Sequence, residues 1–314
     1  LYPWRYSEPV TALASWSQTS YIHLAQQLLE ETGIDPELRL KGMFMVGVDD
    51  EEEALAWGRK FHRPMERVNA DFLYQKEPNL VTGCESALWM PEVASIRNPR
   101  LGRSLRRSME ITPNIRLVEQ SKVDSLIVEN GRAVGVKLSD AELRAEKLII
   151  AAGAWSGELL GSLGIELPVE PVKGQMMLFK APPGLISRVV LMGGRYLIPR
   201  NDGRILVGST LERVGFDKQI TDDAKESLRK TALDICPALK DIELEHHWAG
   251  LRPGSPEGIP YIGAVPGIEN LYLNAGQYRN GLVLAPASTR LLADLLLERT
   301  PVIDPQPYQL QGRV

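Results

Sequence analysis

The spacing of apolar residues divides the chain into helical and extended stretches. Over 12–31, Leu13, Trp16, Leu24 and Leu28, with the small Ser20 among them, recur at three- and four-residue steps, and Gly33 follows. That period predicts an amphipathic helix with a glycine C-cap. The run MFMVGV at 43–48 predicts a strand, and the acidic start DDEEEALAW predicts a helix whose first turn suits the dipole. ALWMPEVASI reads as one further strand, and a short helix begins near Pro99. The stretch IRLVEQSKVDSLIVENGRAVGVKL predicts a β-meander turning at Asn130-Gly131. LIIAAGAWS is apolar almost throughout, as a buried strand of a parallel sheet would be.

Beyond Pro168 the pattern shortens. QMMLFKA, RVVLMG, RYLIPR and RILVGST are separated by Pro-Pro-Gly and Asn-Asp-Gly turns, which predicts an antiparallel sheet closed by a helix over Asp222–Ile235. The run from HHWAGLRP through NLYLNAG then leads into an apolar helical pattern over 282–298. Two layers alternate along the chain, and neither is contiguous.

Composition narrows the classes. A chain of 314 residues with 44% hydrophobic and 24% charged residues can bury a large core in about two domains. The net charge of −4 favours neither nucleic acid nor an anionic membrane. No apolar run approaches the ~20 residues of a membrane span. A soluble cytoplasmic protein is expected. Cys84 and Cys236 form no CxxC pair, so neither a disulfide framework nor a zinc site is expected. His246 and His247 are adjacent on an expected strand and face opposite ways, unable to chelate one metal together. Arg97, Arg100, Arg103, Arg106 and Arg107 are expected to form a solvated helix face, with a partner patch as the alternative.

Candidate chemistry centres on Arg252, set between a strand-like run and a Pro-Gly turn in WAGLRPGSPEGIPYIGAV. Rigid backbone on both sides holds a planar fork suited to bidentate capture of a carboxylate. Downstream, Asn274, Ala275, Gly276, Asn280 and Gly281 occupy five of eight positions just before the last helical pattern. Small residues at a helix start leave backbone N–H groups and the positive dipole end free for an anion or an electron-rich ring.

Taken together, AAGAWS, PVKGQM, YLIPRNDGRILVGST, the Arg252 run and GQYRNGLVLAP resemble the D-amino acid oxidase superfamily of flavoenzymes, most closely its glycine oxidases of thiamine biosynthesis. The likeness runs in order from near Leu1 to the last helix. It implies an α/β fold: an FAD-binding Rossmann-like domain at 1–36, 99–165 and 248–314, with an antiparallel-sheet substrate domain at 37–98 and 166–247. It implies oxidative deamination of glycine or a small amino acid or amine by hydride transfer to non-covalent FAD, with oxygen as acceptor. A D-amino acid dehydrogenase, a sarcosine oxidase-like enzyme and a flavin-free binding or assembly subunit are the alternatives. No cysteine follows Cys236, which speaks against a covalent flavin link. Thiazole synthase as recipient of the product and a homo-oligomeric assembly complete the expected partners.

The same resemblance assigns residues. Arg252 and Tyr196 would hold the substrate carboxylate, Arg279 would lie at the flavin edge, and Leu211 would wall an apolar pocket capped by Leu1, Tyr2, Pro3 and Trp4. Gln277, Tyr278, Arg279, Asn280, Gly281, Leu282 and Val283 would offer N–H groups to the flavin. Val123 would meet the adenine through its backbone, and Gly153 would let the backbone approach the dinucleotide. No general base is identified. G-x-G-x-x-G, which opens a dinucleotide-binding fold, occurs nowhere in the chain. The first βαβ unit is therefore expected upstream of Leu1, and residues 1–314 alone are not expected to retain the dinucleotide.

Overall fold

The structure, a computed structural model, describes residues 2–313. Its largest element is an eight-stranded sheet in the order Leu244–Gly254, Glu170–Phe179, Ile205–Gly208, Arg195–Pro199, Val189–Met192, Met43–Val46, Ser86–Met90, Glu66–Asn69. The two-residue side-chain period sorts its residues onto two faces. Phe44, Trp89, Met177, Phe179, Val190, Leu197 and Val207 share one core with Leu228, Ala232 and Ile235 of helix Asp222–Ile235. Their alternates Met43, Met90, Met176, Leu191, Tyr196 and Leu206 point the other way and line a cavity. The four runs expected as an antiparallel sheet pair antiparallel with one another, and the larger sheet is mixed because Val189–Met192 also runs parallel to Met43–Val46. The long connection between these two strands permits the parallel pairing, which a tight hairpin would not.

A second sheet holds Tyr261–Ala264, Leu271–Ala275 and Leu148–Ile150, with the last two parallel. The expectation of a buried, near-continuous strand from LIIAAGAWS is corrected here. The strand stops at Ile150 and lies at the sheet edge, where Ile149 is 51% exposed. The hairpin Val123–Glu129/Arg132–Leu138 turns at Asn130-Gly131 (φ +52° and +77°), and Glu142–Arg144 adds a third strand. IRLVEQ forms no strand, and its Ile115, Leu117 and Val118 are exposed. ALWMPEVASI divides after Met90, where Pro91 cannot donate to a ladder, and Ala94–Ser95 pairs instead with Arg39–Leu40.

Helix Glu8–Thr32 begins earlier than its apolar period, on an acidic residue and Pro9, and ends on Gly33 in the left-handed conformation (φ +70°). It packs on the last helix, Gly281–Leu296, through Val10, Leu13, Leu284, Ala287 and Leu291. Pro286 inside that last helix lacks an N–H, so the carbonyl of Leu282 has no helical donor. The buried Tyr21 hydroxyl donates to it, and Ser17 Oγ accepts from Ala287 N at 3.0 Å. The two helices are thereby locked beside the last helix's first turn. Burial pushes the Tyr21 hydroxyl up to about 12.

The boundary expected at 248 falls inside strand Leu244–Gly254, which pairs with Glu170–Phe179 along its length. Arg252 therefore projects from the eight-stranded sheet. The arginine cluster on helix Asn98–Ile111 is tied into the molecule: Arg97 pairs with Glu37 and Asp202, and Arg106 with Glu110 and Glu119. His246 is exposed and His247 half-buried, on successive positions of their strand.

Candidate functional site

A cavity of about 480 Å³ lies between the eight-stranded sheet and the paired helices. Its sheet wall carries Tyr196, Ser209 and Arg252, and its helix wall carries Tyr6, Arg279, Asn280, Leu282 and Val283. Arg252 is held from two sides. Nη2 donates to Ser209 Oγ at 2.7 Å and Nη1 to the Thr210 carbonyl at 3.3 Å. The guanidinium lies across Gly174, where an added Cβ would sit 2.0 Å from Nη1. A glycine inside a strand marks such a close approach.

Tyr196 repeats the arrangement. It pairs with Gly208 across the ladder, and a Cβ there would fall 2.6 Å from the tyrosine hydroxyl oxygen. Two glycines thus make room for the two polar groups expected to meet a carboxylate. Among the described residues, Arg252 forms no ion pair, and all its hydrogen bonds go to neutral oxygens. Burial lowers its pKa, partly opposed by Tyr196, while the nearby Arg279 charge acts with burial. A half-buried cation with a second cation nearby, on the wall of an apolar cavity, favours an anion between them.

The helix wall is built from backbone. Gly281–Leu296 starts directly after the turn Tyr278–Asn280 and without a side-chain cap from Asn280, so its first turn presents N–H groups that no side chain covers. Asn280 is buried, while Gln277 Nε2 donates to Asn274 Oδ1, tying the corner together. Tyr6 bonds to Asn280, and burial raises its pKa against the opposing charge of Arg279. Arg279 is exposed and forms no ion pair among the described residues. A second cavity of about 710 Å³, bounded by Leu167–Glu170, Gly254–Gly258 and Tyr278, shares Tyr6, Arg279 and Asn280 with the first. An apolar slot ending on uncapped N–H groups suits a flat, electron-rich ring such as that of FAD.

Other expected residues lie elsewhere. Leu211 is 47% exposed and outside both cavities, because the chain leaves the sheet after Gly208; Met176, Leu191 and Leu206 form the apolar wall instead. Pro3 lines the cavity, while Tyr2 and Trp4 pack beside Met43 and Met90, and Leu1 lies outside the described residues. Val123 begins its hairpin and Gly153 (φ +57°) opens a turn, neither one lining a cavity. Sequence reasoning missed Gly174, Gly208, Ser209 and Tyr6. It also missed Arg200, which lines the far end of the cavity, donates to the Ile96 carbonyl and has its pKa pulled down to about 10 by burial. The strand-interior glycines were the one available signal.

Comparison with known proteins bears on this site. A family model described as DAO, FAD dependent oxidoreductase, matches residues 1–295. The chain is 56% identical to a glycine oxidase of Pseudomonas aeruginosa over 314 residues, which is 100% of this chain and 86% of that one. It is 36% identical over 231 residues to a bifunctional protein ThiO/ThiG of a Nostoc species, covering 72% of this chain and 34% of the relative. The crystal structure of glycine oxidase from Geobacillus kaustophilus matches with a TM-score of 0.91 at 28% identity, covering 98% of this chain and 84% of that one.

Proposed function

The chain belongs to the DAO family of FAD-dependent oxidoreductases, and from that premise we propose that it oxidises glycine or another small amino acid or amine in the cavity between Tyr196, Arg252 and Arg279. The observation that carries this reading is the half-buried Arg252 fork, held by Ser209 and without an ion pair among the described residues, on an apolar wall. Arg252 binds the substrate carboxylate, and the Tyr196 hydroxyl donates a hydrogen bond to the same group. Arg279 bounds the site from the helix side and reinforces the anion preference. The walls of Met176, Leu191 and Leu206 exclude water around the α-carbon.

FAD, when bound, supplies the hydride acceptor. Overall, amino acid, oxygen and water give oxo acid, hydrogen peroxide and an amine, which is ammonia from glycine and methylamine from sarcosine. Among the described lining residues the one carboxylate is Glu92, whose side chain is 57% exposed and lies 4.0 Å from Arg63. No lining group is placed as a base over the α-carbon, so the substrate amine enters neutral and the chain's part is orientation.

Met176, Leu191 and Leu206 give the substrate side an apolar wall that offers no polar partner to a long or charged side chain. Glycine and sarcosine are therefore the proposed substrates. Peroxide release by the holoenzyme across a panel of amino acids tests this: glycine and sarcosine should exceed D-phenylalanine and D-lysine. Preference for the large D-amino acids, or no peroxide at all, overturns it. The bifunctional ThiO/ThiG relative supports a second enzyme acting on the product, and a thiazole synthase in the cytoplasm is the partner we propose. Among the described residues no helix is long and apolar enough to cross a membrane.

A further inference from the structure

The groups that hold Arg252, Ser209 Oγ and the Thr210 carbonyl, belong to a segment that has left the sheet. What keeps that segment in place lies on the opposite face of strand Glu170–Phe179. Lys173 and Glu212 exchange backbone hydrogen bonds at 2.8 and 2.9 Å, and Thr210 N donates to the Gln175 carbonyl at 3.2 Å. Gln175 N donates back to Thr210 Oγ1 at 2.8 Å. The side chains then add a buried network. Lys173, 2% exposed, places Nζ 3.1 Å from Glu212 and 3.3 Å from Asp217, and donates to the Gln219 carbonyl at 3.1 Å. Gln175, fully buried, donates to the Glu212 carboxylate and to Thr221 Oγ1, and its Oε1 accepts from Thr221 N. Thr210 Oγ1 donates to Glu212 as well.

The tripeptide Lys173-Gly174-Gln175 therefore faces two ways. Its glycine leaves space for the guanidinium on the cavity side, and its two flanking side chains pin the loop that grips the guanidinium from the other side. Burial disfavours the Lys173 ammonium, yet Glu212 and Asp217 outweigh it and hold its pKa above the ordinary lysine value. The Glu212 carboxyl is correspondingly held below its ordinary value, its hydrogen bonds from Thr210 and Lys173 outweighing burial. Nothing in the hydride chemistry uses these groups, and none of them lines the cavity.

We propose that Lys173 and Gln175, acting through Glu212 and Thr210, are positioning residues that set the geometry of the Arg252 fork and thereby the carboxylate affinity of the site. The proposal rests on Arg252 being the carboxylate clamp. Removing the ammonium frees the 210–212 segment, tilts the fork and weakens substrate capture without touching the groups around the α-carbon.

The test uses the FAD-loaded holoenzyme, glycine turnover, and acetate as a carboxylate probe followed by its perturbation of flavin absorbance. Lys173→Met should raise KM for glycine and the acetate Kd together, by about tenfold, with kcat within about twofold. Lys173→Arg should recover most of the affinity, since a cation still reaches both carboxylates. In Lys173→Met/Arg252→Met the acetate Kd should equal that of Arg252→Met alone, because both changes act on one interaction. Glu212→Gln, which keeps its hydrogen-bonding shape, should raise both constants about threefold and serves if Lys173→Met fails to fold. Additive losses in the double variant, or unchanged KM and Kd in the variant that folds, overturn the positioning role. If Arg252→Met itself leaves the acetate Kd unchanged, the clamp reading has failed instead, and the two failures are distinct.

Discussion

The two walls of the cavity hold their functional groups by opposite means. On the sheet wall, Arg252 is half-buried, hydrogen-bonded to Ser209 and Thr210, and laid over a glycine. On the helix wall, Arg279 is exposed and forms no ion pair among the described residues; what that wall offers is backbone N–H groups at an uncapped helix start. A strand fixes where a side chain emerges, so the sheet can aim a guanidinium. A helix start fixes where N–H groups point, so the corner suits a larger delocalised partner whatever the side chains. The difference supports the proposed placement, with the small anion against the sheet and the ring against the helix.

The strongest way to break this comparison is Arg252→Met. Losing a charge-assisted bidentate interaction should cost on the order of 3 kcal/mol, about a hundredfold in kcat/KM. Flavin absorbance of the loaded enzyme should stay unchanged, because the helix wall is untouched. Near-normal efficiency on every amino acid would remove Arg252 from the site.

Gly174→Ala tests whether the space under the fork matters. Its methyl group would lie 2.0 Å from Nη1, so the guanidinium must move while every hydrogen-bonding residue remains. KM for glycine should rise roughly tenfold with little change in melting temperature. A large loss of stability with unaltered KM would make Gly174 a packing residue only.

On the helix wall the sharper probe is stability. Tyr21→Phe leaves the Leu282 carbonyl, already without a helical donor, unpaired in the interior. The cost should be about 1–3 kcal/mol, a fall of several degrees in melting temperature, with weaker FAD retention and no change in carboxylate affinity once FAD is bound. An unchanged melting temperature would mean that water serves the carbonyl equally well.

The smallest effect concerns acid. Arg5 and Trp4 donate to Asp50 and hold its carboxyl at about 2, below the ordinary 3.8, and so fasten the segment leading to Tyr6. A depressed carboxyl stabilises the fold above its unfolded pKa, and the contribution is lost as pH falls from about 4 towards 2. Asp50→Asn should therefore unfold less steeply over that window while being slightly less stable at pH 7. Equal acid limbs in the two proteins would contradict the assignment.

Much of this was legible locally. Helix Asp222–Ile235, the Asn130-Gly131 hairpin and the glycine end of the first helix follow from period and turn chemistry, which act over a few residues. Arg252 and Tyr196 stood out through motifs whose spacing survives without coordinates, and both line the cavity. Leu211 did not follow its expectation, because a wall is defined by which residues a sheet face presents, and the sheet ends three residues earlier. IRLVEQ looked like a strand and LIIAAGAWS like a longer and more buried one than Leu148–Ile150, because pairing needs a neighbour along its whole length and periodicity carries no information about one.

What the sequence determined by itself was most of the helices and hairpins, the family pattern and Arg252 as the candidate carboxylate clamp, since each is written in residue type and short-range spacing. What only the tertiary structure decided was the environment of that arginine. Gly174 and Ser209 meet Arg252 from 78 and 43 positions away in the chain, and Lys173 ties down from the other face the segment that holds it. Cross-strand register and the two faces of one tripeptide brought them there, and both are properties of the assembled sheet rather than of any local stretch.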